Sequence, residues 1–366
     1  MIFYILFKIA FLLLYKMPIF LHFMTIIAFR LCLFCGKQLI FRFVSSMLRK
    51  DLYFVLGRGS NMFLLIFNQL VKMLIILIVG IVCVRIGLVS KEGSKTISNL
   101  LLMLVNPILI IMVYQTDYDP VLVKGLLISF VAAFVSHILA IIVSKILFHS
   151  KEDPNNMVNQ FAAVYSNCGF IGIPLINSVL GSEGVFYLTA YMTVFNILTW
   201  THGLSLMKGH LDLKLLGEGL KAPMVIGTFI AMLLFFTRIH IPDTLAASMQ
   251  YIADMNTPLA MMVAGFSVAN SDLKKICTNI QLYRIALTKL IIVPLVVLLF
   301  LWIAPFSPEV AYPTLIASAC PTGTTITMMS IRFDKNAAYA SEIFSFTTVL
   351  SILTIPLIIF IAGYLL

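Results

Sequence analysis

Long uncharged apolar stretches alternate with short charged ones along most of this chain, and the apolar runs are continuous rather than alternating residue by residue. That pattern predicts membrane-spanning helices and argues against the strands of a β-barrel. Dividing at the charges gives ten candidate spans after Met62: 63–84, 96–116, 121–147, 156–181, 184–207, 221–238, 243–270, 282–304, 310–331 and 337–365. The fourth and ninth carry helix-breaking stretches, Tyr165-Ser-Asn-Cys-Gly-Phe-Ile-Gly-Ile-Pro174 and Ala319-Cys-Pro-Thr-Gly-Thr-Thr-Ile-Thr327. Pro174 lacks a backbone donor and clashes with the turn before it, while Gly169, Gly172 and Gly323 loosen the chain nearby. Backbone freed at membrane depth survives only where it is buried in protein or lines a cavity. Two such breaks, one in each half, point to the binding site of a transporter.

The same order of features occurs twice. Span two holds Asn106-Pro107 and span seven holds Asn256-Thr-Pro258, and each is followed two spans later by a broken helix. Pro107 precedes Pro174 by 67 residues and Pro258 precedes Pro321 by 63. Five spans is an odd number, so a second unit of five enters from the opposite side. The prediction is an all-α polytopic membrane protein with ten transmembrane helices, arranged as two inverted five-helix repeats whose helices four and nine are broken and cross. The first repeat covers 62–207, a cytoplasmic linker 208–221 and the second repeat 222–366. Residues 1–61 form a hydrophobic, basic extension.

Composition agrees with the pattern. The 366 residues are 61% hydrophobic and 11% charged, with a mean hydropathy of +1.05, which is far from a water-soluble domain. The net charge of +10 would suggest nucleic acid in a soluble protein, but here it collects in alternate loops. One side holds Arg85, Lys91, Lys95, Lys145, Lys151, Lys208, Lys214, Lys221, Lys274, Lys275, Arg284, Arg332 and Lys335, and the other holds Lys124 and Arg238. The positive-inside rule places the first group in the cytoplasm, so both ends of the 62–366 unit lie outside the plasma membrane. The basic cluster Arg42, Arg49, Lys50 and Arg58 would then stand on the wrong side. Gly57-Arg-Gly-Ser-Asn-Met62 can be encoded by a purine-rich run resembling a ribosome-binding site, which suggests a native start at Met62; the alternative is that 1–61 is a divergent extra membrane anchor. Cysteines are scattered through apolar runs as small hydrophobes, and Cys32 with Cys35 has no second pair to complete a metal site.

Breaking spans four and nine exposes half-helix N-termini, whose free N–H groups and partial positive charge suit a carboxylate. Asn167, Gly169, Thr322, Thr324, Thr325 and Thr327 would line such a site. Asn106, Asn196 and Asn256 serve either the same cavity or helix-to-helix hydrogen bonds. Ionisable groups inside spans are functional candidates. Asp254 could take up a proton during the cycle, Glu342 lies in span ten, and Lys72 could attract an anion or neutralise an acid. Lys289 is expected to snorkel to the cytoplasmic edge of span eight. His137 and His202 are expected to be hydrogen-bonded core residues. No nucleotide-binding loop, metal-spaced cluster or nucleophile–base pair is evident, so neither enzyme activity nor a cofactor is expected.

At these residues the sequence resembles the auxin efflux carrier family, which includes plant carriers and bacterial malate or malonate permeases. The resemblance runs from Phe67-Asn-Gln-Leu70 and Val89-Ser-Lys-Glu-Gly93, through Asn167–Pro174 and Pro321–Thr325, to Phe346–Pro356. It implies ten helices in two inverted repeats, a scaffold moving against a transport unit, a homodimer, and crossing points at Pro174 and Pro321. The short link between the halves resembles the prokaryotic members. The expected function is secondary active transport of a small organic anion, such as malate, malonate or another dicarboxylate, with a proton or sodium ion as the coupling partner. A channel-like facilitator or a membrane sensor is the alternative, and saturable counterflow separates carrier from channel.

Overall fold

Three of the prolines that sit inside helices, Pro107, Pro174 and Pro294, are accommodated by one local device. A computed structural model describes residues 68–150, 152–209, 223–269, 279–304 and 306–366, all within the compact unit Gly59–Leu366. The extension 1–61 and most of the expected linker 208–221 lie outside the described residues. Before Pro107 the Asn106 N–H reaches back five residues to Leu101 O. Before Pro174 the Ile173 N–H does the same to Cys168 O, and before Pro294 the Val293 N–H bonds Thr288 O. This widened, π-type turn relieves the clash of the ring with the preceding turn.

The helices are α1 (Asn68–Arg85), α2 (Lys91–Val113), α3 (Pro120–Leu147), α4 (Asn156–Val164) and α5 (Cys168–Lys208). After these come α6 (Pro223–Thr237), α7 (Asp243–Ala269), α8 (Ile280–Ile303), α9 (Pro308–Ala319), α10 (Thr325–Arg332) and α11 (Ala337–Ala362). Ser90 caps α2 through Gly93 N, Asp119 caps α3 through Val121 N, and Asn336 caps α11 through Tyr339 N. These are the expected starts, since each side-chain oxygen satisfies an orphan donor. α5 bends at Gly181, whose φ of 67° suits a residue without Cβ, giving arms 168–180 and 182–208.

Helix is present in each of the ten stretches divided from the sequence. Among the described residues, seven helices are long and apolar enough to cross a membrane, and α6 is a shorter apolar one. This is a multi-pass helical membrane protein. α3 packs on α5 and α9, α8 covers α3 and α9, and α11 lies against α10. The apolar stretches of α1 and α2 are 28% and 22% buried against 61% for α11, so α1 and α2 turn most of their apolar surface outward, where lipid covers it at no hydrophobic cost.

Candidate functional site

The two breaks meet. Cys320 takes the extended backbone that a residue before proline prefers, with ψ of 148°, and this ends α9. On the other side α4 ends where Tyr165 turns extended, with ψ of 107°. The two extended segments lie antiparallel, with Ser166 opposite Thr322. Asn167 N donates to Pro321 O at 2.7 Å and Gly323 N donates to Tyr165 O at 2.9 Å. Thr322 Oγ1 donates to Ala162 O at 3.1 Å, and Thr322 N donates to Thr347 Oγ1 at 3.3 Å. Backbone groups released by the breaks therefore find partners in the other break or on α11, which is what burial away from water demands.

This corrects the expected role of Pro174. The meeting point is Ser166 and Thr322, with Pro321 in the clasp. Pro174 lies farther along, buried in the first arm of α5, where the widened turn at 168–172 absorbs it instead of breaking the helix.

Four helix ends converge here with opposite polarity. α4 and α9 arrive by their C-termini, while α5 and α10 leave by their N-termini. The carbonyl ends carry partial negative charge and the amide ends partial positive charge. Beside the N-terminus of α5 stands a pair of buried amides from distant helices. Asn256 Nδ2 on α7 donates to Asn106 Oδ1 on α2 at 2.7 Å. That pairing leaves Asn106 Nδ2 and Asn256 Oδ1 without protein partners, and Asn167 Nδ2 and Thr325 Oγ1 are unpartnered as well. A Cβ at Gly169 would stand 3.9 Å from Asn106 Nδ2 and 3.8 Å from the methyl groups of Met192 and Met224. Gly169 thus keeps open the space between the amides and the helix end. Each buried polar atom left unpaired costs about 1–3 kcal/mol, so the free Asn106 Nδ2 facing Gly169 marks a position where a polar solute or water completes the bonding.

The other expected residues are distributed less tightly. Thr322 is fully buried within the clasp and Thr324 is half-buried. Asn196 is only half-buried on the second arm of α5, and the amide pair forms without it. Asp254 is exposed on α7, two residues before Asn256, and accepts from Gln250 Nε2 at 2.7 Å. Lys72 is exposed near the start of the described part of α1, and Glu342 is half-buried in the second turn of α11. Neither Lys72 nor Asp254 joins the hydrogen bonds of the crossing. His137 hydrogen-bonds Ala133 O through Nδ1 at 2.8 Å, and His202 Nδ1 pairs with the Tyr165 hydroxyl at 2.9 Å.

The largest correction concerns Lys289. Its side chain does not reach a membrane edge but is fully buried. The ammonium donates to Ser166 Oγ inside the clasp and to Ser318 O at the end of α9, the latter at 3.1 Å. A signal was available in the sequence. Lys289 lies nine residues into α8, about 14 Å along the axis, which is beyond the reach of an ordinary snorkel.

Residues 65–213 and 210–359 match the family model described as membrane transport protein. The chain belongs to this family, the auxin efflux carriers. The carrier is also similar to an uncharacterized transporter of Methanocaldococcus jannaschii, 24% identical over 212 residues that span 55% of this chain and 68% of the relative. Family and relative agree on transport of a solute across a membrane, which fits clasped helix breaks better than any catalytic constellation.

Proposed function

We propose that this carrier is a secondary active transporter of a small organic anion, bound beside the crossing and exchanged between the two membrane faces by alternating access. The observation that carries this reading is the set of buried amide atoms without protein partners, Asn106 Nδ2, Asn167 Nδ2 and Asn256 Oδ1, on residues at the N-terminus of α5. Two free N–H donors and a helix amide end complement carboxylate oxygens, and a dicarboxylate such as malate or malonate can address the amides and the opposed N-terminus of α10 together. In this reading the ten stretches are ten crossings of the plasma membrane. They form inverted repeats 62–207 and 222–366 joined by a cytoplasmic linker, with both ends outside, and the carrier works as a homodimer.

The test is uptake of labelled mono- and dicarboxylates into proteoliposomes, with counterflow to show a carrier cycle. Asn167→Ala and Asn106→Ala are expected to lower uptake of the transported anion roughly 10–100-fold, the worth of one hydrogen bond to a charged group. Both variants should remain folded. Unchanged uptake in both would remove the amides from the site.

Asp254 supplies the candidate for proton coupling, because it is a carboxylate halfway along an apolar helix, adjacent to the amide pair in sequence. A proton carried across on this carboxylate would make uptake rise with an inward proton gradient. Asp254→Asn is expected to transport equally with and without that gradient. A variant that keeps the wild-type response would exclude this residue.

A further inference from the structure

Carriers built on broken helices bind a coupling cation where half-helix C-termini end and unwound carbonyls are exposed, and bind anionic groups at the opposite, N-terminal ends. In this carrier the C-terminal position is already filled. α9 ends at Ala319, so Ser318 O is among the last carbonyls without a helical partner. The N–H four residues on, Thr322 N, is turned to Thr347 Oγ1 instead. Lys289 Nζ takes Ser318 O, and it also donates to Ser166 Oγ, two residues beyond the end of α4. Both contacts are neutral oxygens, and Ser318 O is a helix-end carbonyl of the kind that coordinates sodium in such carriers. Among the described residues no carboxylate pairs with this ammonium.

We propose that the Lys289 ammonium is a built-in cation standing in the crossing where related architectures bind sodium, so that this carrier takes no sodium ion there. The inference rests on reading the crossing as the transport core, and it adds the ion chemistry which that reading leaves open. A fixed unit charge repels a second cation from the same few oxygens and holds the two C-terminal helix ends together throughout the cycle. It also leaves the N-terminal side free for the anion. Shortening the side chain should vacate a pocket lined by Ser166 Oγ and Ser318 O that a small cation can enter.

The experiment reads thermal unfolding of the purified carrier in sodium chloride and in choline chloride at equal ionic strength, with methylammonium chloride as a third condition. The wild type is expected to unfold at one temperature in all three. Lys289→Ala is expected to unfold lower, and methylammonium or sodium should recover about 3 °C or more relative to choline. Lys289→Met, which keeps bulk without charge, should not respond to either cation. Stabilisation of the wild type by sodium over choline would overturn the proposal, as would a Lys289→Ala protein indifferent to both cations. If Lys289→Ala cannot be isolated folded, Lys289→Arg decides together with the wild type: the proposal requires it to be folded and indifferent to sodium. Because the readout is unfolding and not uptake, a failed anion screen leaves this result standing.

Discussion

Ser166→Cys combined with Thr322→Cys will join the two halves of the carrier covalently. The background for this pair has all six native cysteines replaced by alanine. A protease site placed between Lys208 and Lys221 then yields two fragments that run apart after reduction and together without it. The expectation follows from the hydrogen bonds on either side of the pair. Asn167 N to Pro321 O and Gly323 N to Tyr165 O flank Ser166 and Thr322 without involving their own backbone groups, so these two are a non-hydrogen-bonded antiparallel pair. Such residues have Cα atoms about 4.5 Å apart with side chains on one side of the ladder, within the span a disulfide tolerates. The native thiols must be removed because Cys168 and Cys320 crowd the same spot. A Cβ at Gly172 would lie 3.4 Å from Cys168 Cβ and 3.5 Å from Cys320 Sγ. Ser178→Cys with Thr322→Cys is the control. Position 178 lies about 18 Å farther along α5 by helical rise, so its fragments should separate with or without reductant. Fragments of the 166/322 pair that separate before reduction would show that the breaks do not cross in the membrane.

Much of this architecture was legible because hydrocarbon constrains a chain more severely than water. Apolar length announced the helices, and Cys320-Pro321 announced the second break, since a residue before proline disfavours helical backbone unless a widened turn accommodates the ring. Asn106 and Asn256 were readable as polar residues inside apolar spans. Their union was not, because a hydrogen bond between residues 150 apart in sequence is decided by packing that no local pattern encodes. Pro174 misled for a related reason: the helix has a second solution, the widened turn, which costs less here than leaving backbone unsatisfied. Lys289 misled most. The cost of burying an ammonium depends on what accepts its hydrogens, and the acceptors are Ser166 in the clasp and Ser318 on α9. Periodicity reads one helix at a time, so it locates charges and cannot tell where their partners stand.

Gly265→Leu is expected to cost the carrier its folded state, or to lower its unfolding temperature by about 6–12 °C where it survives. α1 and α7 meet backbone to backbone at this residue. A Cβ at Gly265 would press into Leu77 O and stand 3.0 Å from Ile81 N, and one at Gly80 would lie 2.5 Å from Met262 O. Neither neighbour is a side chain that can rotate away, so the helices themselves must part. Overpacking of this kind costs about 3 kcal/mol, and each kcal/mol moves the midpoint about 2–4 °C in a domain of this general size. Helices in lipid gain little from burying apolar surface against each other and rely on close contact, so separation has no compensating term. Gly93→Ala tests the reasoning from the other side. Its new Cβ would meet only side-chain atoms at 3.5 Å, an ordinary contact, and alanine favours helix over glycine by about 1 kcal/mol, so that variant should unfold no lower than wild type. Gly80→Ala and Gly265→Ala crowd one contact, so once either has pushed α1 away the second adds little. The double variant should therefore fall short of the sum of the singles by about 0.5–3 kcal/mol. α7 also carries Asn256, so a displaced α7 should loosen the amide pair with Asn106. Loss of uptake in Gly265→Ala protein that remains folded would then report that displacement and not unfolding.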